Sequence, residues 1–234
     1  MKTVIITGAS SGIGLKTAIK FKSGGYNVVG SYLKNQSTAQ KVEKEYGIPF
    51  LRCDVTREDD VDALFRFAEK RYGKVSLVIA NAGVCLKQKP LIDVTAEEVE
   101  RVISTNLKGA IYTNKRAVLS MLNSGGKIIN VSSIFGLSGG SCEVVYSSTK
   151  AGVIGLTKSL ADELSSSSVE VCAVAFGLVD TPMNAHLSKE DKLEFVKGCN
   201  LTKIPSAINA SEELYKIATE KENLNGKIIS VFAD

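Results

Sequence analysis

A short apolar run, Val4-Ile5-Ile6, leads into Thr7-Gly8-Ala9-Ser10-Ser11-Gly12-Ile13-Gly14. A segment with helical spacing follows, marked by Ile13, Ala18, Ile19 and Phe21. No other stretch restricts the chain as much. A strand, a glycine-rich turn and a helix form the opening unit of a dinucleotide-binding fold. The glycines allow a tight turn and let backbone N–H groups approach a pyrophosphate, and the helix adds the positive end of its dipole. The spacing here, G-x-x-x-G-x-G, differs from the commoner G-x-G-x-x-G. Alone, such a run also fits an ordinary turn.

The rest of the chain repeats the alternation. Tyr26–Tyr32, Pro49–Cys53, Val75–Ala80, Lys127–Ser132, Val169–Phe176 and Lys227–Phe232 read as short apolar strands. Between them lie helical segments over about Ser37–Tyr46, Val144–Leu164 and Ala210–Thr219. Another is capped by Thr56, with Val61, Leu64, Phe65 and Ala68 inward, and one starts after Thr95 with Glu97 and Glu98 in its first turn. That last helix carries Val99, Val102, Ile103, Leu107, Ala110 and Ile111 at helical spacing. Residues 177–200 lack clear periodicity and are expected to form a substrate loop. The pattern predicts an α/β fold: a single Rossmann-type, doubly wound parallel sheet of about seven strands, helices on both faces, in one domain over 1–234.

Composition narrows the partners. A formal charge of +4 with no long run of like charges gives no footprint for nucleic acid. No apolar stretch approaches the roughly 20 residues that span a bilayer. Met1-Lys2-Thr3 enters the first strand directly, leaving no room for a signal peptide, so a cytoplasmic protein is expected. Cys53, Cys85, Cys142, Cys172 and Cys199 are odd in number and contain no C-x-x-C pair, which favours free thiols over disulfides or zinc. His186, the only histidine, is expected to be a plain loop residue, and no metal site is suggested.

In a doubly wound sheet, ligands bind beyond the C-terminal strand ends. Falling there are Gly8, Ser10, Ser11, Gly12, Ile13 and Gly14, then Asp54-Val55, Asn81-Ala82-Gly83, Ser132-Ser133 and Gly177-Leu178-Val179. Tyr146 and Lys150 are four positions apart and share one helix face. An ammonium beside a phenol favours the phenolate, and a phenol so tuned suits general acid–base catalysis nearer neutral pH.

The ordered set resembles the short-chain dehydrogenase/reductase family over essentially the whole chain. The family's cofactor turn matches Thr7–Gly14, its adenine-side Asp is Asp54, and its Asn-Ala-Gly motif is Asn81-Ala82-Gly83. Its catalytic Asn, Ser, Tyr and Lys correspond to Asn106, Ser133, Tyr146 and Lys150. The resemblance implies that Ser133 bonds the substrate carbonyl and Tyr146 donates the proton as hydride arrives from nicotinamide. It implies that Lys150 binds the ribose and favours ionised Tyr146, and that Asn106 holds a water for proton resupply. Gly177, Val179 and Thr181 match positions that contact the nicotinamide end.

An NAD site places an acid about 20 residues past the glycine turn. Here no carboxylate side chain precedes Glu43, and the relevant strand end reads Gly30-Ser31-Tyr32-Leu33-Lys34. Tyr32 and Lys34 are the expected contacts to a 2′-phosphate, so NADP(H) is expected.

Two features depart from the family. Phe176-Gly177 stands where Pro-Gly is common, and the chain ends soon after its last strand without a glycine pair. Length and motifs look most like bacterial 3-oxoacyl-acyl-carrier-protein reductases of fatty acid synthesis. Ser124 and Ser167 occupy places that are often basic for carrier-protein docking; Lys189, Lys192 and Lys197 are candidate substitutes. The broad apolar surface of Lys150–Leu164, with Gly152 and Gly155 open to close approach, predicts a homodimer or homotetramer through this helix and Val99–Met121. The expected substrate is a small-molecule or acyl-thioester carbonyl. The alternatives are a sugar, polyol or xenobiotic ketone, and, in another class, a non-catalytic NADP-binding regulator.

Overall fold

A computed structural model of the chain describes residues 1–185, 187–198 and 202–232, with the Lys189 and Gly198 side chains excepted. The expectations for His186 and Cys199, and for the last two residues, lie outside the described residues.

The strands are β1 (Thr3–Ile6), β2 (Asn27–Tyr32), β3 (Phe50–Arg52), β4 (Val75–Ala80), β5 (Gly126–Ser133), β6 (Val169–Phe176) and β7 (Ile228–Val231). They form one parallel sheet in the order β3-β2-β1-β4-β5-β6-β7. The Val and Ile runs of β1, β2, β4, β5 and β6 are buried on both faces, as strands between helical layers must be, while edge strand β7 is only partly buried. The helices are α1 (Gly12–Ser23), α2 (Gln36–Tyr46), α3 (Glu58–Tyr72), α4 (Ala96–Ile103), α5 (Gly109–Met121), α6 (Phe135–Ser138), α7 (Val144–Glu163), α8 (Lys189–Gly198) and α9 (Ala207–Thr219).

Period-two alternation divides the core into two layers. Val4, Ile6, Leu77, Ile79, Ile129 and Val174 pack with Phe21 of α1 and Leu214 of α9. Ile5, Val29, Val78, Ile128 and Val171 face the other way, against Leu64 and Phe65 of α3 and Met121 of α5. Strand order reverses between β1 and β4, and the crevice at that switch point is where an open sheet of this kind binds ligands.

Several local expectations need correction. Thr56 does not cap α3: Arg57 occupies the cap position, and the Thr56 hydroxyl donates instead to Asp54 Oδ1 at 2.8 Å. The helix after Thr95 starts as expected, with a capping box between Thr95 and Glu98, but it is not uniform. Ser104–Lys108 form a π-helical turn between α4 and α5, a local widening often found at functional sites. Residues 177–200 are not wholly irregular, since α8 lies within them; among its described side chains only Val196 is buried, too few to leave a periodic signal. Gly152 is indeed closely approached, but by Leu107 of the same chain, whose side chain lies 3.0 Å from where a Cβ would stand.

Gly14 and Gly177 admit no side chain. A Cβ at Gly14 would lie 2.5 Å from both Asn81 Nδ2 and the Gly8 carbonyl oxygen, so α1 docks against the turn only because position 14 is bare. At Gly177 a Cβ would overlap the Phe232 carbonyl oxygen, which pins the end of β6 under the residue that follows β7.

Candidate active site

A cleft of roughly 510 Å³ opens at the C-terminal ends of the strands. Its walls include every residue expected to contact a cofactor except Gly14, together with Ser133, Tyr146 and Lys150. Gly14 faces Asn81 beneath the turn instead, because its missing side chain is what lets α1 and the β4 end meet. Asn106 lies behind the cleft wall, buried.

Hydrogen bonds fix the turn from two sides. The Thr7 hydroxyl accepts the N–H groups of Asn81 and Ala82, both at 3.0 Å, and Asn81 Nδ2 donates to the Thr7 carbonyl at 2.9 Å. From β2, Ser31 Oγ accepts the Gly8 N–H at 3.2 Å, and the Ser31 carbonyl accepts that of Ala9 at 2.8 Å. Thr7, the first residue of the matched turn, and Ser31 are thus structural parts of the site, although neither was expected as a cofactor contact. The only available signal was their placement, one beside the first glycine and the other at the end of β2. At the start of α1, Ser11 makes no side-chain cap and the first turn holds no acid. The start of α1, with the positive end of its dipole, therefore opens onto the cleft without a carboxylate in its own first turn.

The second half of the site is built by docking α7 on β5. Ser132 Oγ donates to the Lys150 carbonyl at 2.9 Å, and Lys150 Nζ donates to the Val131 carbonyl at 2.9 Å. The Lys150 ammonium lies 5.7 Å from the centre of the Tyr146 ring, one helical turn away. Ser133, at the end of β5, hydrogen-bonds Tyr146 and accepts the Phe135 N–H at 3.2 Å. The π-helical turn aims Asn106 at the loop after β4. Its Oδ1 accepts the Val84 N–H at 2.8 Å, while Nδ2 donates to the Val84 carbonyl and to Thr149 Oγ1. Asn106 thus joins that loop to α7, and the backbone of Gly83 runs between it and the Lys150 ammonium.

Electrostatics correct one expectation. Burial, rather than the ammonium, sets the direction for Tyr146: loss of water raises its pKa, with Cys85 adding to the rise, while the Ser133 bond opposes it. Lys150, 5% exposed, is lowered to about 8 by burial. At neutral pH the pair is therefore a protonated phenol beside an ammonium, a form ready to give a proton.

Sequence reading did not single out Glu143. It lines the same cleft, is 9% exposed, and burial raises its carboxyl pKa to about 7. An ordinary glutamate titrates near 4.5, so the penalty for ionising Glu143 in the fold is absent below that pH, grows up to about pH 7 and is constant above. Replacing Glu143 by Gln is therefore expected to raise Tm by several degrees at pH 8 and by much less at pH 4.5. Thermal unfolding of both proteins at the two pH values checks this; equal shifts at both would contradict it.

Comparison with known proteins agrees with this geometry. The family model described as short chain dehydrogenase matches residues 2–192. A curated 3-oxoacyl-[acyl-carrier-protein] reductase from Staphylococcus aureus is 33% identical, over 98% of this chain and 96% of its own. Among solved structures, a 3-ketoacyl-(acyl-carrier-protein) reductase from Brucella melitensis, complexed with NADH, superposes with a TM-score of 0.91. It is 25% identical, over 98% of this chain and 96% of its own. ElxO with NADP bound gives a TM-score of 0.89 at 29% identity, over the same shares of the two chains. The chain belongs to the short-chain dehydrogenase family of oxidoreductases.

Proposed function

We propose that the protein is an NADPH-dependent carbonyl reductase, with 3-oxoacyl thioesters as its leading substrate class. One observation carries the reading: the Ser133–Tyr146–Lys150 cluster stands on the wall of the same cleft as the glycine turn. A non-catalytic cofactor-binding regulator needs the turn but not a proton donor beside it.

The residues present fit the dinucleotide. The uncapped start of α1 and the N–H groups of Ser10–Ile13 suit its pyrophosphate, while Asp54, held by the Thr56 hydroxyl and N–H, and Val55 suit the adenine side. Tyr32 and Lys34 line the cleft beyond Ser31, with no acid among residues 31–35. A 2′-phosphate meets no repulsion there, which favours NADPH over NADH. Lys150 and Asn81-Ala82-Gly83 suit the nicotinamide ribose, and Gly177, Val179 and Thr181 the nicotinamide end. Bound NADPH supplies the hydride.

This chain's residues do the rest. Ser133 donates a hydrogen bond to the substrate carbonyl oxygen and orients Tyr146. Tyr146, kept protonated by its surroundings, gives its proton to that oxygen as negative charge develops. Lys150 holds positive charge near the phenolate left behind. Asn106 keeps the loop after β4 against α7, and a water beside it would resupply the proton.

The 3-oxoacyl assignment rests on the names of the relatives. Ser124 and Ser167, in place of basic residues, do not strengthen it, and a sugar, polyol or xenobiotic ketone remains the alternative. The fold accommodates this whole chemistry as one domain, and a cytoplasmic location fits the free thiols of Cys53, Cys85, Cys142 and Cys172. No helix among the described residues is long and apolar enough to cross a membrane. Ile103, Ile111, Leu119 and Leu122 are exposed apolar side chains along α4 and α5, which supports a homodimer or homotetramer through that face. A monomer in sedimentation at micromolar concentration would contradict the assembly.

NADPH oxidation against acetoacetyl thioesters, sugars and simple ketones tests the function. Turnover is expected with at least one class, falling at least about 100-fold in Tyr146→Phe, and Kd is expected to be lower for NADPH than for NADH. Tyr146→Phe retaining most of the turnover, or tighter NADH binding, would contradict the corresponding part.

A further inference from the structure

Glu143 occupies the cap position before α7, yet its side chain makes no capping bond. It packs beside Gly140, where a Cβ would stand 3.2 Å from its own Cβ, and its charge acts on both Tyr146 and Cys85. Glu143 lines the same cleft as Tyr146 and precedes it by three positions at the start of α7. Arg101 of α4 also lines the cleft and acts on Cys85, but no ion pair or hydrogen bond joins it to the Glu143 carboxylate. Among the described residues, Ser147 Oγ is the only buried side-chain polar atom that is both enclosed and unpartnered. The oxygens of Glu143, which also lack a partner, are consequently open to the cleft.

A carboxyl that is mostly buried and unpartnered is destabilising, and burial by an alkyl chain would remove its remaining water. A hydrogen-bond donor brought by a ligand would relieve that strain. We propose that Glu143 is a specificity-determining residue that accepts a hydrogen bond from a hydroxyl or ammonium group next to the substrate's reacting carbonyl. The proposal rests on the carbonyl-reductase reading. It narrows the substrate class toward ketones with an adjacent donor, a group that 3-oxoacyl thioesters lack, and so favours the sugar or polyol alternative within that reading over the 3-oxoacyl one. The raised carboxyl pKa agrees with a group that lacks its partner until substrate arrives.

The test uses three small ketones, acetone, hydroxyacetone and aminoacetone, on the wild type, Glu143→Gln and Glu143→Leu. Two quantities are read: kcat/KM with NADPH, and the Kd of each ketone for the non-reacting NADP+ complex by ligand-detected NMR. Wild type is expected to bind hydroxyacetone or aminoacetone about 10- to 100-fold tighter than acetone, the range of one hydrogen bond to a charged acceptor. A preference for hydroxyacetone identifies a hydroxyl, and one for aminoacetone an ammonium. Glu143→Leu is expected to lose the preference without weaker acetone binding. Glu143→Gln, which keeps an acceptor oxygen but no charge, is expected to retain hydroxyacetone better than aminoacetone. No preference in wild type, or an equal loss for all three ketones in Glu143→Leu, would overturn the proposal. If no carbonyl is reduced at all, the reductase reading fails, and the Kd values still decide the role of Glu143.

Discussion

The site depends on one lysine held out of water. Lys150 is buried, and its ammonium donates to the Val131 carbonyl of β5. That bond places α7 against the sheet, and α7 in turn sets Tyr146 beside Ser133. Ser132 repeats the link through the Lys150 backbone. Removing the carbonyl, or shifting β5 by one residue, would leave a desolvated cation and misplace the phenol. The glycine turn is tied down separately, by Thr7 to β4 and by Ser31 to β2, so two rigid halves face each other across the switch point of the sheet.

Much of this was legible in the residues because the determinants are local. Alternating Val and Ile runs gave strands whose bounds differ from the observed ones by only a residue or two, and Thr95 with Glu98 marked a helix start that the capping box explains. The turn, Ser133, Tyr146 and Lys150 could be placed because each sits at a strand end or on a single helix face. Other features depend on contacts between distant segments. Nothing near Asn106 signals a π-helical turn; that conformation goes with its side chain reaching back to Val84 and across to Thr149. Gly14 was legible as part of the cofactor turn, but not that its bare Cα is what admits Asn81. Gly152 looked like a place for another subunit, whereas Leu107 of the same chain fills it. Glu143 escaped notice because it belongs to no motif, and only the cleft around it reveals that it is buried.

The same burial that positions the site shapes its chemistry. Taking Tyr146, Lys150 and Glu143 out of water disfavours the charged form of each. For Tyr146 that keeps the proton a reductase must deliver. For Lys150 the pKa remains about 8, high enough to hold positive charge near the phenol at neutral pH. For Glu143 no side-chain hydrogen bond or ion pair among the described residues compensates, and stability set aside in this way is a common mark of a functional position.

The central claim is that hydride and proton reach a carbonyl at the Ser133–Tyr146–Lys150 cluster. The most direct measurement is transfer of deuterium from NADPH labelled at the reactive nicotinamide carbon, followed by mass spectrometry of the alcohol product. Wild type should place one deuterium in the product, from a single face of the nicotinamide, and Lys150→Ala should abolish the transfer. Label that never leaves the cofactor with any carbonyl, or label transferred equally by Lys150→Ala, would contradict the account.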